Sequence, residues 1–389
     1  MIKLIKNKIK MILQNRNINQ SITDLAIISK IHDFQTVRQE NIIGDNFRIA
    51  FLVLGFSGFS GGITNIFRLG THLAGMGHEI YYIILNDSNL KILEENAKIA
   101  HPGYSGKLVK LKDSKNFSFD VGIATAWFSC YYLLANMNLF KYKVYFIQDF
   151  EPYFYPVGDY YFLAQNTYKQ GFHMISLGHW CKSVIEEKFP STRVDAIDFP
   201  VDIEQYQITP RKIAINKEIR VATYLKMEDR RAPFLLINQL KYLEKELLKR
   251  GYQVEINIFG IDRTLKIPVG TNLGLLNHDE LLELYKKSHF GIVASMTNIS
   301  IVNYEMIASG LPVIDFLEGS APNFCSMNEM IFIQTGLTEV FEKIWYFLNH
   351  QDQLNDLTKQ AQKNLERKKA TWQQFASRFN KIIIDQKSL

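Results

Sequence analysis

Residues 300–315 have the sequence SIVNYEMIASGLPVID, in which a helical segment that follows Ser300 carries one carboxylate, Glu305, and ends at Gly310 before a short apolar strand. A carboxylate in the first turns of a helix that faces a cleft accepts hydrogen bonds from sugar hydroxyls, and the free N–H groups of that helix end attract phosphate. The segment therefore predicts a nucleotide-sugar site with Ser300 and Glu305 as contacts. The alternative is a solvent-facing Glu on an ordinary helix that connects two strands.

Short apolar segments alternate with helical segments on both sides of this motif. The strands predicted in the first half of the chain cover residues 48–54, 79–85, 107–111, 119–124, 143–148, 173–177 and 193–199. Those predicted in the second half cover residues 219–225, 254–259, 271–276, 290–295 and 312–316. Apolar strands joined by helical crossovers form parallel sheets that are buried on both faces. We predict an α/β protein with two doubly wound, Rossmann-like domains that face each other across a cleft.

The predicted boundaries divide the chain into four parts. Residues 1–46 form an N-terminal extension, 47–208 a first Rossmann-like domain, 209–370 a second one, and 371–389 a C-terminal helix. The boundary between the two domains falls in a polar stretch around Pro210 that has no clear period. Because the C-terminal helix carries three aromatic residues that need a surface to bury against, we expect it to pack back on the first domain.

The overall composition restricts the function classes. The 389 residues are 47% hydrophobic and 22% charged with a net charge of +6, which is typical of a globular protein and too weakly basic for dedicated nucleic-acid binding. The same positive excess suits phosphate-bearing substrates. Three cysteines far apart in the sequence indicate neither a disulfide framework nor a clustered zinc site, and they fit a reducing cytoplasm.

The first residues of the chain carry a separate signal. No apolar run reaches the roughly 20 residues of a membrane span, and residues 1–13 lack the continuous apolar core of a signal peptide. Ile2, Ile5, Ile9 and Ile12 recur at helical spacing between lysines. This pattern predicts either a basic amphipathic helix that lies on the anionic inner face of the cell membrane or a solvated, frayed helix.

A glycine-rich loop follows the first predicted strand. Residues 55–62 have the sequence GFSGFSGG and precede a helix predicted over residues 63–74. Glycines let the backbone approach an anion closely, and a helix N-terminus adds its positive pole, so Gly61 and Gly62 are candidate phosphate contacts. The spacing is neither G-x-G-x-x-G nor that of a P-loop, and a plain flexible turn is the alternative.

Three cations follow the first strand of the second half. Lys226, Arg230 and Arg231 lie where the carboxyl end of a parallel strand meets the ligand-binding edge of an open α/β sheet. An arginine holds a diphosphate bidentately, and a lysine adds a point charge. These residues predict a diphosphate site, and the alternative is a solvated basic turn.

Candidate acceptor-binding groups follow strands of the first half. Asp149 and Glu151 come directly after one predicted strand and lie among aromatic residues. That combination suits sugar binding, because rings stack on apolar sugar faces while acids accept hydroxyl hydrogen bonds. Both acids are candidates for a protein base or an acceptor-orienting group, and an acidic helix start is the alternative. Trp127 and His179 follow neighbouring strands at the same edge, where they either line an acceptor cleft or serve in packing and helix capping.

These motifs together resemble the GT-B glycosyltransferases of family 4, and within them the WsaF-like rhamnosyltransferase branch that builds S-layer and O-antigen glycans. The most specific match is Glu305 in YEMIASGLPVI, which resembles the second Glu of the family's paired-Glu pattern and by that resemblance contacts the donor ribose. The likeness spans residues 47–379. Its other matches are the Gly61-Gly62-Ile63 loop, the spacing of Lys226 and Arg231, Phe259-Gly260 with Asn272-Leu273-Gly274, and the segment 145–152.

The resemblance implies a reaction and roles for these residues. It implies that the second domain binds a nucleotide-diphosphate sugar donor and that the first faces a glycan or lipid-linked glycan acceptor. Lys226 and Arg231 would stabilise the leaving diphosphate, Gly274 would lie in the base-binding loop, and transfer would retain anomeric configuration without a metal or cofactor. Two positions depart from the family pattern: Thr297 stands where the first Glu of the pair occurs, and Lys226 stands where an Arg is usual.

Three other functions fit parts of the sequence. Asp87, at the end of the second predicted strand, suits the ribose of a nicotinamide cofactor, but the glycine spacing of such an oxidoreductase is missing. A GT-B-like nucleotide-sugar epimerase shares the expected fold and needs no acceptor. Thr297 keeps a further hypothesis open, a catalytically inactive glycosyltransferase-like subunit that acts as a partner.

Overall fold

The computed structural model describes residues 37–86, 88–208, 217–368 and 370–385. Three features of the sequence analysis lie outside these residues: the basic segment 1–13, Asp87 and the linker at Pro210.

The first domain is built on a parallel sheet of seven strands in the order β3-β2-β1-β4-β5-β6-β7. The strands are β1 (Arg48–Val53), β2 (Glu79–Ile84), β3 (Lys107–Lys110), β4 (Phe119–Ala124), β5 (Phe140–Ile147), β6 (His173–Leu177) and β7 (Val194–Ile197). β5 begins three residues before the predicted strand, because Lys141 and Lys143 alternate with apolar residues in that part of the sequence. The side chain of Lys143 is nevertheless buried, and its ammonium donates to the carbonyl of Arg38 at 2.7 Å.

Helices cover both faces of this sheet. They are α1 (Gly61–Gly75), α2 (Leu90–Ala100), α3 (Leu111–Ser114), α4 (Trp127–Ala135), α5 (Asp159–Thr167) and α6 (His179–Lys188). α1 buries Ile66, Phe67, Leu69 and Leu73, which recur at helical spacing and therefore share the face that lies on the sheet. α1 starts two residues earlier than predicted, so both candidate glycines belong to its first turn.

The second domain repeats this architecture with a parallel sheet of six strands in the order β10-β9-β8-β11-β12-β13. The strands are β8 (Glu218–Tyr224), β9 (Gln253–Phe259), β10 (Thr271–Gly274), β11 (Phe290–Ile292), β12 (Val313–Phe316) and β13 (Ile331–Ile333). The helices are α7 (Pro233–Lys249), α8 (His278–Lys287), α9 (Ile301–Ala308) and α10 (Glu339–Asn349). The sequence does not predict β13, because three residues carry no readable period; the pairing of this strand with β12 defines it.

The last two helices are α11 (Gln351–Lys368) and α12 (Trp372–Asp385). α12 returns to the first domain and packs against α1 and β7. The ring centroid of Phe379 lies 5.5 Å from that of Phe146 in β5. The aromatic face of this helix is thereby buried against the first domain. No helix within the described residues combines the length and the apolar character that crossing a bilayer requires.

Two connections between the domains lie side by side. The segment that leaves the first domain passes Val201 and Asp202, and the segment that returns passes Ala370 and Trp372. The backbone N–H of Val201 donates to the carbonyl of Ala370 at 2.7 Å, and that of Trp372 donates to Asp202 Oδ1 at 3.2 Å. The outgoing and returning chains are therefore hydrogen-bonded to each other.

Candidate functional site

The carboxyl ends of β5 and β6 meet the loop that follows β11, so the two domains touch at one corner of the cleft. The side-chain amide of Asn298 donates to the carbonyl of Gln148 at 2.7 Å and to that of Leu177 at 2.9 Å. The backbone N–H of Phe150 donates to the carbonyl of Thr297 at 3.0 Å. We call the contact formed by Gln148, Asp149, Arg230, Thr297 and Asn298 the interdomain junction.

Asp149 is the charged centre of this junction. Its Oδ1 accepts a hydrogen bond of 2.8 Å from the Thr297 hydroxyl, and its Oδ2 lies 3.3 Å from Nη1 of Arg230. Arg230 also bonds Glu228 at 2.7 Å, and its guanidinium carbon lies 4.4 Å from the ring centroid of Phe154. The sequence identifies Arg230 only as one of three cations. Its partner lies 81 residues away, which no local pattern reveals.

The other two cations have fewer partners. Arg231 is 9% exposed; its Nη1 donates to the carbonyl of Ala294 at 3.0 Å, and its buried Nε has no hydrogen-bond partner among the described residues. Lys226 is half-buried, and burial lowers the pKa of its ammonium, as do the neighbouring arginines. Its Nζ lies 5.9 Å from the ring centroid of Tyr224. Both groups thus retain capacity to bind an anion.

The predicted helix of the 300–315 motif is α9, and a buried carboxylate fixes its entry. The Ser300 hydroxyl, which is buried, accepts a bond of 3.4 Å from the N–H of Val302. Asp315 accepts bonds from the N–H of Ser295 at 2.9 Å and from the amide of Asn303 at 2.6 Å. Burial raises the pKa of Asp315, and these bonds oppose that rise. The strand that ends the motif therefore holds the loop before α9 in place.

Glu305 lies at the surface shared by the domains. Tyr285 of α8 donates to its Oε2 at 3.3 Å, and Tyr206, from the segment that leaves the first domain, also bonds it. Burial raises the pKa of Glu305, while Arg68 of α1 and His278 of α8 lower it. The carboxyl is half-buried and faces groups from both domains.

The glycine loop is linked to the junction through Gln148. The amide of Gln148 donates to the carbonyl of Gly62 at 3.1 Å and accepts from Asn65 at 3.0 Å. A Cβ added at Gly61 would meet no heavy atom within 4 Å, so internal packing does not require glycine there. The first turn of α1 is consequently open at Gly61, beside Gln148, as a phosphate or sugar contact would need.

Gly274 lies at the end of β10, next to β9. Its φ of +86° falls in the left-handed region that favours glycine, and its carbonyl accepts a bond of 2.9 Å from the N–H of Gly260. Gly260 in turn packs on Tyr224, which precedes the cation segment. Through Gly260 and Tyr224, the predicted base-binding loop is therefore in contact with the strand that leads into the cation segment.

Two of the predicted acceptor residues have buried side chains in the structure. Glu151 is 4% exposed, and Oε2 accepts a hydrogen bond from the backbone N–H of Trp127; burial raises the pKa of Glu151 to about 8. The indole of Trp127 is also buried and donates to the hydroxyl of Tyr155 at 3.1 Å. Both side chains are buried beside the turn that presents Asp149, and their contact with an acceptor stays a prediction.

His179 is the first residue of α6, and its side chain is open to solvent. Its Nε2 lies 3.4 Å from Oδ1 of Asp198 at the surface. The structure does not join it to the junction by a contact. Within the described residues there is also no group of three or more His, Cys, Asp or Glu side chains arranged to hold a metal ion.

Comparison of the fold with known structures identifies its class. HepE of Anabaena, solved in complex with UDP and glucose, superposes with a TM-score of 0.68 at 12% identity, over 87% of this chain and 100% of that one. A glycosyltransferase from Rickettsia africae gives a TM-score of 0.61 at 14% identity, over 88% and 99% of the two chains. The chain has the GT-B fold of these structures, two parallel-sheet α/β domains that face each other, as the sequence predicted.

Sequence comparison adds two relationships. A family model described as the N-terminal domain of WsaF matches residues 109–178, which contain Asp149 and Glu151. The O-antigen biosynthesis protein RfbC of Myxococcus xanthus is 25% identical over 279 residues, which is 68% of this chain and 21% of the relative. The chain thus spans about a fifth of the length of that relative.

Proposed function

We propose that this protein is a glycosyltransferase that moves a sugar from a nucleotide-diphosphate donor to a cell-envelope polysaccharide or lipid-linked glycan. The observation that carries the proposal is the pair of under-partnered cations, Lys226 and Arg231, at the carboxyl edge of the second sheet. Open α/β sheets bind ligands at this edge. The likeness to O-antigen and WsaF proteins supports an envelope glycan, and it makes rhamnose our first choice of donor sugar.

The donor site follows from these positions. Lys226 and Arg231 bind the diphosphate together with the first turn of α1 at Gly61 and Gly62. Ser300 holds the N-terminus of α9 towards the same anion, and Glu305 accepts hydroxyls of the donor ribose. Gly274 belongs to the loop that receives the base. Since departure of the diphosphate builds negative charge, preorganised cations and N–H groups stabilise the transition state more than the ground state.

The reaction that fits this site is a retaining transfer without a metal or cofactor. The bond between the anomeric carbon and the phosphate oxygen breaks, and the acceptor oxygen bonds to the same face of that carbon. The acceptor proton passes to the departing phosphate oxygen, so no protein base is needed. Asp149 then orients the acceptor hydroxyl. Its bonds to Thr297 and Arg230 hold its carboxylate at the domain boundary.

Nucleotide-sugars are made in the cytoplasm, and we propose that the protein works there at the inner face of the cell membrane. The support is sequence alone: Lys3, Lys6, Lys8 and Lys10 with no acid between them. Such a segment gains affinity for anionic lipid with each basic residue.

Thermal unfolding with a panel of UDP-, dTDP- and GDP-linked sugars tests the proposal. A cognate donor raises the melting temperature by mass action, and Glu305→Ala removes that shift while Glu342→Ala, a first-turn acid of α10, leaves it intact. A wild-type protein that responds to no nucleotide-sugar would refute the function.

Thr297 favours one second candidate, an inactive partner subunit, because it replaces a carboxylate of the family pattern. If the protein is an inactive partner subunit, it should bind the nucleotide-sugar donor but not consume it when extracts of envelope glycan are supplied. Release of free nucleoside diphosphate that depends on the glycan rejects it. An epimerase would convert the donor with no acceptor present.

A further inference from the structure

A stretch of exposed apolar side chains lies beside the junction. Residues 153–162 have the sequence YFYPVGDYYF and connect the turn after Asp149 to α5; we call them the aromatic segment. Four of its large hydrophobic side chains are exposed, Tyr153 by 42%, Val157 by 76%, Tyr160 by 36% and Phe162 by 52%. Exposed apolar groups clustered in one short segment mark an interaction site more often than a structural need.

The aromatic segment is continuous with the proposed catalytic cleft. Phe154 lies under the guanidinium of Arg230, the residue that pairs with Asp149. The ring of Tyr155 is 6.3 Å from that of Phe154, and the ring of Tyr160 is 5.4 Å from that of Tyr155. A row of rings therefore leads from the junction outward, and its last member is exposed to solvent.

The charge of this region selects among ligands. Residues 151–163 contain two acids, Glu151 and Asp159, and no Lys or Arg. Among the described residues, two cations lie on the segment: Arg230, whose guanidinium carbon is 4.4 Å from the ring centroid of Phe154 and whose charge is balanced by Asp149 and Glu228, and Lys188, whose Nζ is 5.7 Å from the ring centroid of Tyr153. An anionic lipid surface or an acidic polymer gains little from such a surface, because binding to either relies on clustered basic residues. The exposed rings of Tyr153 and Tyr160 and one exposed acid suit a neutral sugar chain, which presents both apolar faces and hydroxyl donors.

We propose that the aromatic segment is the acceptor subsite and that the acceptor is a neutral saccharide chain, which stacks along residues 153–162 with its growing end at Asp149. This inference rests on the proposed function and makes it more specific. It excludes a mode in which this segment inserts into the membrane.

Binding measurements on the intact chain test the subsite. Saturation-transfer NMR with neutral oligosaccharides of rhamnose, glucose and mannose is compared with sedimentation on phosphatidylglycerol vesicles. The variant Tyr153→Ala/Val157→Ser/Phe162→Ser removes exposed apolar surface, and the matched control is Tyr346→Ala on α10, where the side chain is 43% exposed. We expect the triple variant to bind saccharide about tenfold more weakly or worse, the control to bind as the wild type does, and both to keep the thermal shift with nucleotide-sugar.

The outcomes separate this inference from the proposed function. Equal saccharide binding by the triple variant overturns the subsite, as does a wild-type protein that binds none of the saccharides. If the wild type and the control bind vesicles and the triple variant does not, the segment binds the membrane, and the proposed acceptor subsite is overturned as well. If the triple variant does not fold, Val157→Ser and Phe162→Ser are measured singly under the same criteria. Loss of every nucleotide-sugar response with saccharide binding intact counts against the function alone.

Discussion

Charged groups at one edge of each sheet differ in how many hydrogen-bond and ion-pair partners they have. At the amino-terminal edge of the first sheet, Glu79 accepts bonds from Arg48 at 2.9 Å, Lys107 at 3.2 Å and the Tyr81 hydroxyl at 2.6 Å, and these bonds lower its pKa to about 2. At the carboxyl edge of the second sheet, Lys226 has no carboxylate within ion-pair distance among the described residues, although Glu228 lies near enough to oppose the burial that lowers its pKa, and Nε of Arg231 is unbonded.

The difference shows that the fold leaves charged groups short of partners at the carboxyl edge of the second sheet. A buried cation without a partner costs free energy of folding, whereas an exposed ion pair costs little and contributes little. Such a cost persists in a protein when something other than folding requires the group, and a ligand that completes its bonds is one such requirement. The contrast between the edges can be tested group by group.

Glu151 gives the largest expected effect on stability. Its pKa is raised to about 8 in the folded protein, against about 4.5 for an unperturbed Glu, so the folded state keeps a proton that the unfolded chain releases. The free energy of unfolding should fall by up to roughly 5 kcal/mol as pH rises from about 4.5 to 8, then stay level. Urea unfolding across that range, repeated on Glu151→Gln, checks this: the variant should lack the fall. An unchanged pH slope in the variant would contradict the buried, protonated carboxyl.

Arg231→Met should separate binding from stability. We expect affinity for the cognate nucleotide-sugar to fall roughly 10- to 100-fold, since a charge-assisted contact to phosphate is lost. The melting temperature without ligand should stay level or rise, because the buried Nε no longer lacks a partner. Titration calorimetry and thermal unfolding measure the two quantities. A stability loss with intact affinity would make Arg231 a structural residue, and Lys107→Met at the paired edge serves as control.

Thr297→Val probes the junction itself. Removing the hydroxyl that bonds Asp149 should lower the free energy of unfolding by about 1 kcal/mol. In a cycle with Asp149→Asn, the two effects should not add, because both changes break the same contact. Denaturant titrations of the four proteins provide the coupling energy. Strict additivity would mean that the two side chains act independently.

Glu79→Gln should have the smallest effect. Its side chain is 42% exposed, so solvent screens the ion pairs and the loss should be within about 1 kcal/mol near neutral pH. Because the folded pKa is depressed, the contribution of Glu79 is present above pH 4.5 and disappears as pH falls towards 2. High salt should reduce the difference between variant and wild type. A decrease of several kcal/mol in the free energy of unfolding that does not depend on salt would contradict the view that these exposed ion pairs contribute little to stability.

The sequence predicted the architecture because strands buried on both faces produce apolar runs that alternate with amphipathic helices. It placed α9 and its flanking strand, where Ser300 begins the helix and Gly310 follows it. It missed β13, which is too short for a period, and it shortened β5 at the buried Lys143. These failures occur where side-chain environment, rather than pattern, decides the structure.

The site was harder to predict than the fold. Candidate residues came from strand ends, and the structure joins Asp149, Thr297 and the glycine loop into one region through Gln148. The pairing of Arg230 with Asp149 depends on how the domains meet, which local sequence does not encode. The sequence could not predict the burial of Glu151 and Trp127 either, because an acid and an indole beside aromatic residues are found both in sugar-binding sites and in protein cores.

The doubled crossing between the domains limits how the molecule can move. Since the chain segments near Val201 and Ala370 are bonded to each other, both must bend when one domain turns relative to the other. The two attachments by themselves permit rotation about the line through them and resist twisting across it, and the hydrogen bonds of the interdomain junction must break for that rotation to occur. Domain opening would therefore be a hinge motion about the two connections. The side of the cleft far from them would widen, while the distance between the domains at the connections would stay the same.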